Sequence, residues 1–134
     1  KTDKSNDRNG FDVCEDSVRS VVSTLIDSLR QKNFSDGAKM VLAIFSCEKV
    51  VAANLGDSRI LLITEKGDIK FALSDHKTVF VEEIDRILSV GGKIVCRRVD
   101  GLLAFSSCLG DFFIRGISYE LQVVMCEINE EDNR

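Results

Sequence analysis

The stretch AANLGDSRILL, residues 52–62, places Asp57 and Arg59 inside an otherwise apolar run. Such a pair can supply the carboxylate and the cation of a catalytic loop, or the polar groups of a turn between strands. Gly56 relaxes the backbone here, and the side chains of Asp57 and Ser58 can bond nearby backbone amides. The residue types therefore favour a turn over a reactive loop.

Histidine and cysteine supply the other candidates for catalysis. His76 is the single histidine, and the five cysteines are widely spaced, without a C-x-x-C pair. A nucleophilic Cys108 served by His76 would require the two to meet in space, and neither lies in a local catalytic signature. We therefore interpret most of the cysteines as small core residues in a reducing intracellular compartment, cytoplasmic or nuclear.

Charge and hydropathy argue against two classes of partner. The 134 residues carry 18 Lys and Arg against 22 Asp and Glu, and no basic stripe alternates with aromatic residues. A nucleic acid is therefore not an expected partner. The apolar runs are far shorter than the roughly 20 residues needed to cross a bilayer, so no membrane partner is expected either.

The amino-terminal part of the chain divides into a lead-in and a helix. Residues 1–10 are polar, charged and closed by a glycine, which predicts a flexible lead-in over residues 1–11, followed by one partial domain over residues 12–134. Asp12 and Glu15 have the spacing of a capping box, and apolar residues then recur with helical period as far as Leu29. This spacing predicts one amphipathic helix that begins at about Asp12.

The remaining elements are mostly strand-like. Four apolar runs separated by short polar breaks predict an antiparallel meander: KMVLAIF, VVAANL, RILLIT and IKFAL. A second helix is predicted after Thr78, and Gly91 with Gly92 ends it. KIVCR and LLAF are predicted to form a hairpin with RVDG at its turn, and LQVVMCEI predicts a last strand.

Three ordered motifs resemble a known family. They are AANLGDSRILL at residues 52–62, LSDHKTVFVEEIDRILSVGGKIV at 73–95 and RVDGLLAFSSCLGDF at 98–112. In this order and at these separations they resemble the metal-dependent type 2C protein phosphatases, which carry ANxGDSR, DHKP with E..RI...GG, and RxxGxLAxSRxLGD. With the flanking helix and strands, the resemblance covers nearly the whole chain, but only the middle of the family domain.

The resemblance implies an α+β fold, an antiparallel β-sandwich core flanked by helices, which is incomplete here. His76 falls in the DHK motif, and we interpret it as a hydrogen-bonding residue at a helix entrance. The residues that match the family motifs are all interpreted as structural: Gly56, Asp57, Ser58, Arg59, Asp75, His76, Gly91, Gly92, Gly101, Gly110 and Asp111.

The resemblance also implies a chemistry. Family members use manganese or magnesium ions to activate a bridging water for attack on a phosphoserine or phosphothreonine. Paired hard cations need several carboxylates, which the family takes from an early Glu-Asp pair and from DGHGG, DGxWD and DN segments. None of these is matched here, and EDN at residues 131–133 fits a polar turn better than a ligand. We therefore assign no catalytic residue and no metal ligand, and expect no cofactor for this chain.

Departures inside the motifs leave two functions open. Where the family has SGST and DHKP, this chain has SDGA and DHKT. Ser107 stands in place of the arginine of the family's SRxLGD, and serine cannot replace that planar cation. The first hypothesis is a pseudophosphatase, inactive as given, that binds a phosphoprotein or a regulatory protein partner. The alternative is a fragment of an active Mn- or Mg-dependent serine/threonine phosphatase whose ligands lie outside this chain. Open strand edges would also permit self-association.

Overall fold

The fold combines helices with antiparallel β-structure, as the α+β prediction requires. A computed structural model of the protein describes residues 13–73, 75 and 78–128, so the predicted lead-in lies outside the described residues. The elements, in chain order, are α1 Glu15–Gln31, β1 Gly37–Ala38, β2 Met40–Phe45, β3 Lys49–Leu55, β4 Leu61–Ile63, β5 Ile69–Ala72, α2 Val81–Ser89, β6 Ile94–Val95, β7 Arg98–Val99, β8 Leu109–Gly110 and β9 Gln122–Glu127. Neither of these helices has the length and apolar character to cross a membrane.

Helix α1 begins later than its spacing predicts. Its N-cap is Cys14, whose Sγ lies 3.1 Å from Oγ of Ser17, and Glu15 is already the first helical residue. Glu15 therefore does not occupy the third helical position that a capping box requires, and Asp12 lies outside the described residues. The buried stripe of the helix is Val18, Val22 and Ile26, which recur every four residues and face the sheet.

The predicted four-stranded meander is wrong in its pairing. β3 pairs with β2 on one side and with β9 on the other, both antiparallel, while β4 pairs only with β5 in a separate two-stranded sheet. The bend at residues 56–59 takes the chain away from β3 before β4 begins, which leaves the second edge of β3 to a strand from the end of the chain. Local alternation of residue types does not specify this long-range partner.

β3 is the centre of the packing because both of its faces are covered. Val51, Ala53 and Leu55 lie in one apolar cluster with α1, whereas Val50 and Ala52 lie in another with Leu73, next to the β4–β5 hairpin. A third cluster surrounds Ile87 of α2 and includes residues from the segment between 99 and 117. Burial on both faces explains the nearly continuous apolar sequence of this strand.

The hairpin predicted from KIVCR and LLAF contains two turns instead of one. β6 pairs with β7 across Cys96 and Arg97, both at positive φ (52° and 61°), the conformation of a type I′ hairpin turn. Val99 then forms an antiparallel bridge with Leu103 across a second tight turn that contains Gly101 at φ 73°. KIVCR therefore pairs with residues 98–99, and RVDG contributes both a strand and the second turn.

Candidate functional site

The GDSR stretch forms the bend that follows β3. Gly56 has φ 128°, which favours glycine, and its carbonyl accepts a 3.2 Å hydrogen bond from Nδ2 of the fully buried Asn54. The Asp57 carboxylate lies 2.6 Å from Nζ of Lys39, which precedes β2, and Ser58 is half-buried behind it. The bend therefore ties the end of β3 to the start of its partner strand.

Arg59 and Asp75 form the second charged contact of this region. The guanidinium donates two hydrogen bonds to the carboxylate, from Nε at 3.1 Å and from the terminal nitrogen at 3.0 Å. The Asp75 side chain is 6% exposed while that of Arg59 is 60% exposed, so the arginine reaches from the surface to pair with a buried carboxylate. His76, the next residue, lies outside the described residues.

Thr78 stands where the resemblance has proline, and its hydroxyl has a use there. Thr78 is 2% exposed, and its Oγ1 contacts the carbonyl oxygens of Arg97 and Ala104, the latter at 3.2 Å. A proline cannot make these contacts because it has no hydroxyl. The substitution thus links the entrance of α2 to the strand pair that follows it.

The glycines after α2 permit close packing. Gly91 has φ 79°, and its N–H donates to the Leu88 carbonyl at the helix end. A Cβ on Gly92 would lie 2.8–2.9 Å from Ile87 and from the Arg115 carbonyl. Both glycines therefore end the helix, as predicted, and bring the chain back against the cluster around Ile87.

The LGD stretch contributes a strand that the sequence patterns do not indicate. β8 pairs antiparallel with β1, so Gly37 is opposite Gly110. The Asp111 carboxylate occupies the space above Gly37, where a Cβ would lie 1.8 Å from its Oδ2. The SDGA segment is therefore the direct partner of LGD, and its glycine is what makes room for Asp111.

Cys108 is an unsuitable nucleophile in this environment. Its side chain is fully buried, and its Sγ lies 3.6 Å from Oδ2 of Asp111 and 3.5 Å from the Gly110 carbonyl. Two effects raise the pKa of the Cys108 thiol to about 12: the larger is burial, and the smaller is the negative charge of Asp111. The pKa of Tyr119 is also raised to about 12, chiefly by burial. A thiol that stays protonated at neutral pH is a core group rather than a reactive one.

These two groups predict how stability depends on alkaline pH. In the unfolded chain they lose their protons near their ordinary pKa values of 9.0 and 10.0, whereas the folded state retains the protons until about pH 12. Above pH 9 the folded state therefore binds more protons than the unfolded state. The contribution of these two groups to the free energy of unfolding should be complete below pH 9 and should decrease between pH 9 and 12. Urea unfolding at several pH values measures this slope.

The matched variants are Cys108→Ala, which removes the buried thiol, and Cys47→Ala, which removes an exposed one. The fall in stability above pH 9 should be shallower in Cys108→Ala and unchanged in Cys47→Ala. Equal slopes in the two variants would show that the buried thiol does not contribute to the pH dependence.

A cleft of about 330 Å³ joins the GDSR bend to the β6–β7 turn, and it is lined by Asp57, Thr78, Val79, Cys96, Arg97, Arg98 and Ala104. Among the described residues that line it, Asp57 is the one carboxylate. Within residues 13–73, 75 and 78–128, no group of three or more His, Cys, Asp or Glu side chains is placed to hold a metal ion. These residues by themselves do not fit a two-metal centre, which needs several oxygen ligands.

Ser107 faces a second cavity of about 320 Å³. Two carboxylates and two guanidiniums are among the described residues that line it, which are Arg19, Glu83, Arg86, Ser107, Ser118, Glu120, Leu121 and Gln122. Arg86 makes a bidentate contact with Glu83 and also donates a 3.0 Å hydrogen bond to the Ser106 carbonyl. The position at which the family motif has arginine therefore opens onto a polar cavity that contains carboxylates.

Comparisons with known proteins agree with this arrangement of motifs. The family profile described as Protein phosphatase 2C matches residues 2–133. The chain belongs to the protein phosphatase 2C family. Among its relatives are the Arabidopsis thaliana "Probable protein phosphatase 2C 24", 33% identical over 73% of this chain and 28% of that protein, and Saccharomyces cerevisiae protein phosphatase 2C homolog 4, 40% identical over 65% and 23%. Human protein phosphatase 1B is 36% identical over 60% of this chain and 18% of its own length.

The chain thus spans roughly a quarter of the length of these protein phosphatase 2C relatives. Several of its family motif residues lie in three contacts: the bend with Lys39, the pair Arg59–Asp75 and the β1–β8 strand pair. The sequence patterns did not indicate Lys39 or Gly37 as partners in these contacts, nor the contacts of the Thr78 hydroxyl. The glycine of SDGA was the available signal, since glycine inside a strand often marks a close backbone approach.

Proposed function

We propose that this chain is the framework of a Mn- or Mg-dependent protein serine/threonine phosphatase domain, and that the 134 residues alone do not hydrolyse phosphoesters. The observation that carries the proposal is the use of the motif carboxylates: Asp57 pairs with Lys39, and Asp75 pairs with Arg59. Both carboxylates hold segments of the chain together. The metal-binding carboxylates of the working domain then come from segments outside this chain.

The proposal includes the architecture of the whole domain. β3 and its two neighbours form one sheet, and the β4–β5 hairpin packs near one face of it through Leu73. We place this hairpin in the second sheet of an antiparallel sandwich, which further strands of the domain complete. The unpaired state of the cysteines among the described residues supports an intracellular location.

A chimera tests whether the framework is competent. In Saccharomyces cerevisiae protein phosphatase 2C homolog 4, the matched segment is replaced by the corresponding residues of this chain, so the rest of that protein is unchanged. The chimera should hydrolyse a phosphothreonine peptide in a manganese-dependent and chelator-sensitive manner, within about tenfold of the parent measured in parallel. The 134-residue chain alone should show no turnover.

Two results would contradict the proposal. Chelator-sensitive turnover by the 134-residue chain alone, with tight manganese binding in calorimetry, would mean that it contains a complete metal site. A folded chimera whose kcat/KM falls by about a thousandfold or more would mean that this framework does not support catalysis.

That second result would favour a pseudophosphatase, for which Ser107 is the specific supporting observation. The cavity beside Ser107 has Glu83 and Glu120 in its wall and can accept an arginine side chain, the residue that the family motif has here. If the replacement of arginine by serine at position 107 abolished activity, Ser107→Arg should restore hydrolysis in the chimera. A regulatory role instead predicts binding to a protein partner that survives chelation, with no recovery in Ser107→Arg.

A further inference from the structure

The turn between β6 and β7 is strained. Cys96 and Arg97 have φ 52° and 61°, a conformation that is unfavourable for most residues with a Cβ. Asparagine and glycine would form the same turn at a lower conformational cost. Strained residues of this kind persist where the surrounding structure holds them, and they cluster at sites that bind ligands. The strain therefore directs attention to what the side chains of this turn can bind.

The hydroxyl of Thr78 holds the strained turn in place. Thr78 is 2% exposed, and its Oγ1 contacts the carbonyl oxygens of Arg97 and Ala104. The hairpin is closed on its other side by a 2.8 Å hydrogen bond from the Asp100 N–H to the Lys93 carbonyl. Because burial fixes Thr78 at the entrance of α2, the backbone of Arg97 is fixed relative to that helix.

The cleft between the GDSR bend and the β6–β7 turn has a cationic wall. Arg97 and Arg98 both line it, and the carboxylate of Asp57 on the opposite side already lies 2.6 Å from Nζ of Lys39. The Arg98 guanidinium donates a 2.9 Å hydrogen bond to the Leu102 carbonyl, which carries no charge. Within the described part of the chain, no acidic side chain forms an ion pair with either arginine. These two charges favour an anionic ligand.

The volume of the cleft limits what such a ligand can be. About 330 Å³ is at the lower end of the range of small-ligand pockets, roughly 300–1,000 Å³, so the cleft has room for a few side chains of a peptide. A planar guanidinium matches the geometry of a carboxylate, with which it forms two parallel hydrogen bonds. An extended peptide segment that contains Asp or Glu therefore suits both the size and the charge of this cleft.

From this geometry we infer that Arg97 is a specificity-determining residue, which binds acidic side chains near the phosphorylated residue of a protein substrate. Thr78 is the positioning residue that holds Arg97 at the cleft. Because Arg97 can select substrates only in a working domain, this role rests on the proposed phosphatase function. The strained turn is then retained because it places a guanidinium at the cleft, which an Asn-Gly turn would not do.

Two phosphothreonine peptides measure the selection. They share one sequence, except that glutamates on both sides of the phosphothreonine in the first peptide are glutamines in the second. In the chimera with yeast protein phosphatase 2C homolog 4, the ratio of kcat/KM for the acidic peptide to that for the neutral peptide should fall about fivefold in Arg97→Gln, mainly through KM. Lys66→Gln is the matched control, since it removes a cation from an exposed turn outside the cleft, and it should leave the ratio unchanged.

Variants of Thr78 and of the turn separate positioning from folding. Thr78→Val keeps the shape of the side chain but removes the hydroxyl, whereas Thr78→Ser keeps the hydroxyl. The ratio should fall in Thr78→Val and be retained in Thr78→Ser. Arg97→Gly should lose the selection and raise the temperature of unfolding, because glycine adopts positive φ without strain. A turn with a structural role alone would gain stability without any change in the ratio.

Failure of this inference is distinct from failure of the phosphatase function. A folded chimera that hydrolyses neither peptide contradicts the phosphatase function, and fluorescence anisotropy of the two labelled peptides on that chimera still measures the preference. An active chimera that does not distinguish the peptides, or whose ratio is the same in Arg97→Gln, would overturn the role of Arg97. Equal ratios in Thr78→Val and Thr78→Ser would overturn the role of the hydroxyl. Thermal unfolding of each variant verifies that it is folded.

Discussion

Gly110→Ala should lose about 3 kcal/mol or more of unfolding free energy, enough to leave a small domain largely unfolded. Gly110 has φ 108°, a conformation that L-residues rarely adopt. A Cβ at this position would lie 2.3 Å from the Asp36 carbonyl oxygen and 2.9 Å from Cα of Gly37. These are backbone atoms of β1 and of the residue just before it, so relief requires separation of β1 from β8.

The control for this prediction is Gly67→Ala. Gly67 also has positive φ, 89°, but a Cβ there has no heavy atom within 4 Å. Gly67→Ala should lose only the unfolding free energy that an L-residue at positive φ costs, about 1 kcal/mol. Urea unfolding of the two variants and the wild type measures the difference. Similar losses in both variants would contradict the argument that backbone contact at the LGD strand, and not φ alone, dominates.

Ile87→Ala should be the second severe change, with a loss of about 2–5 kcal/mol in unfolding free energy. Ile87 is fully buried in the cluster that includes Val99 and Cys108. Its Cγ2 lies where a Cβ on either Gly92 or Gly116 would come within 2.8 Å, so glycine backbone packs directly onto this side chain. Because this neighbouring backbone cannot move easily to fill the cavity that Ile87→Ala leaves, the loss of unfolding free energy is larger.

Leu88→Ala is the matched control because it removes a side chain of equal size from the next residue of the same helix. Leu88 is 53% exposed. The loss should stay below about 1 kcal/mol, since helix propensity favours alanine and little apolar area is uncovered. Thermal unfolding of both variants provides the measurement. A loss in Leu88→Ala as large as that in Ile87→Ala would show that helix α2 is stabilised by a surface contact and not by the cluster.

Local elements were predictable because local periodicity reflects burial. The apolar recurrence at Val18, Val22 and Ile26 predicted α1, and the glycine pair predicted the end of α2. The N-cap of α1 was not predictable, because Cys14 is not a residue type that signals a helix start. The β6–β7 turn was missed for a similar reason, since Cys96 and Arg97 adopt positive φ without the glycine or asparagine that usually announces it.

The contacts of the site were less predictable than the elements. The identity of Asp57 and Arg59 favoured a turn, and the structure places them in a bend, but neither residue type indicates a particular partner. Lys39 is 18 positions before Asp57, and Asp75 is 16 positions after Arg59, and each pair meets because separate segments converge. Ordered motifs identified the family because their spacing is preserved in the chain itself, before any folding is considered.

The positions of the helices, most of the strands and the family could be read from the amino-acid sequence, because periodicity and motif spacing are properties of the linear chain. The three-dimensional fold was needed to establish that β3 pairs with β9, that Asp111 lies over Gly37, and that Arg19 and Lys70 donate hydrogen bonds to carbonyls at the two ends of β9. Each of these depends on residues far apart in the chain. Their approach is set by which apolar faces can be buried together, and that is a property of the whole fold.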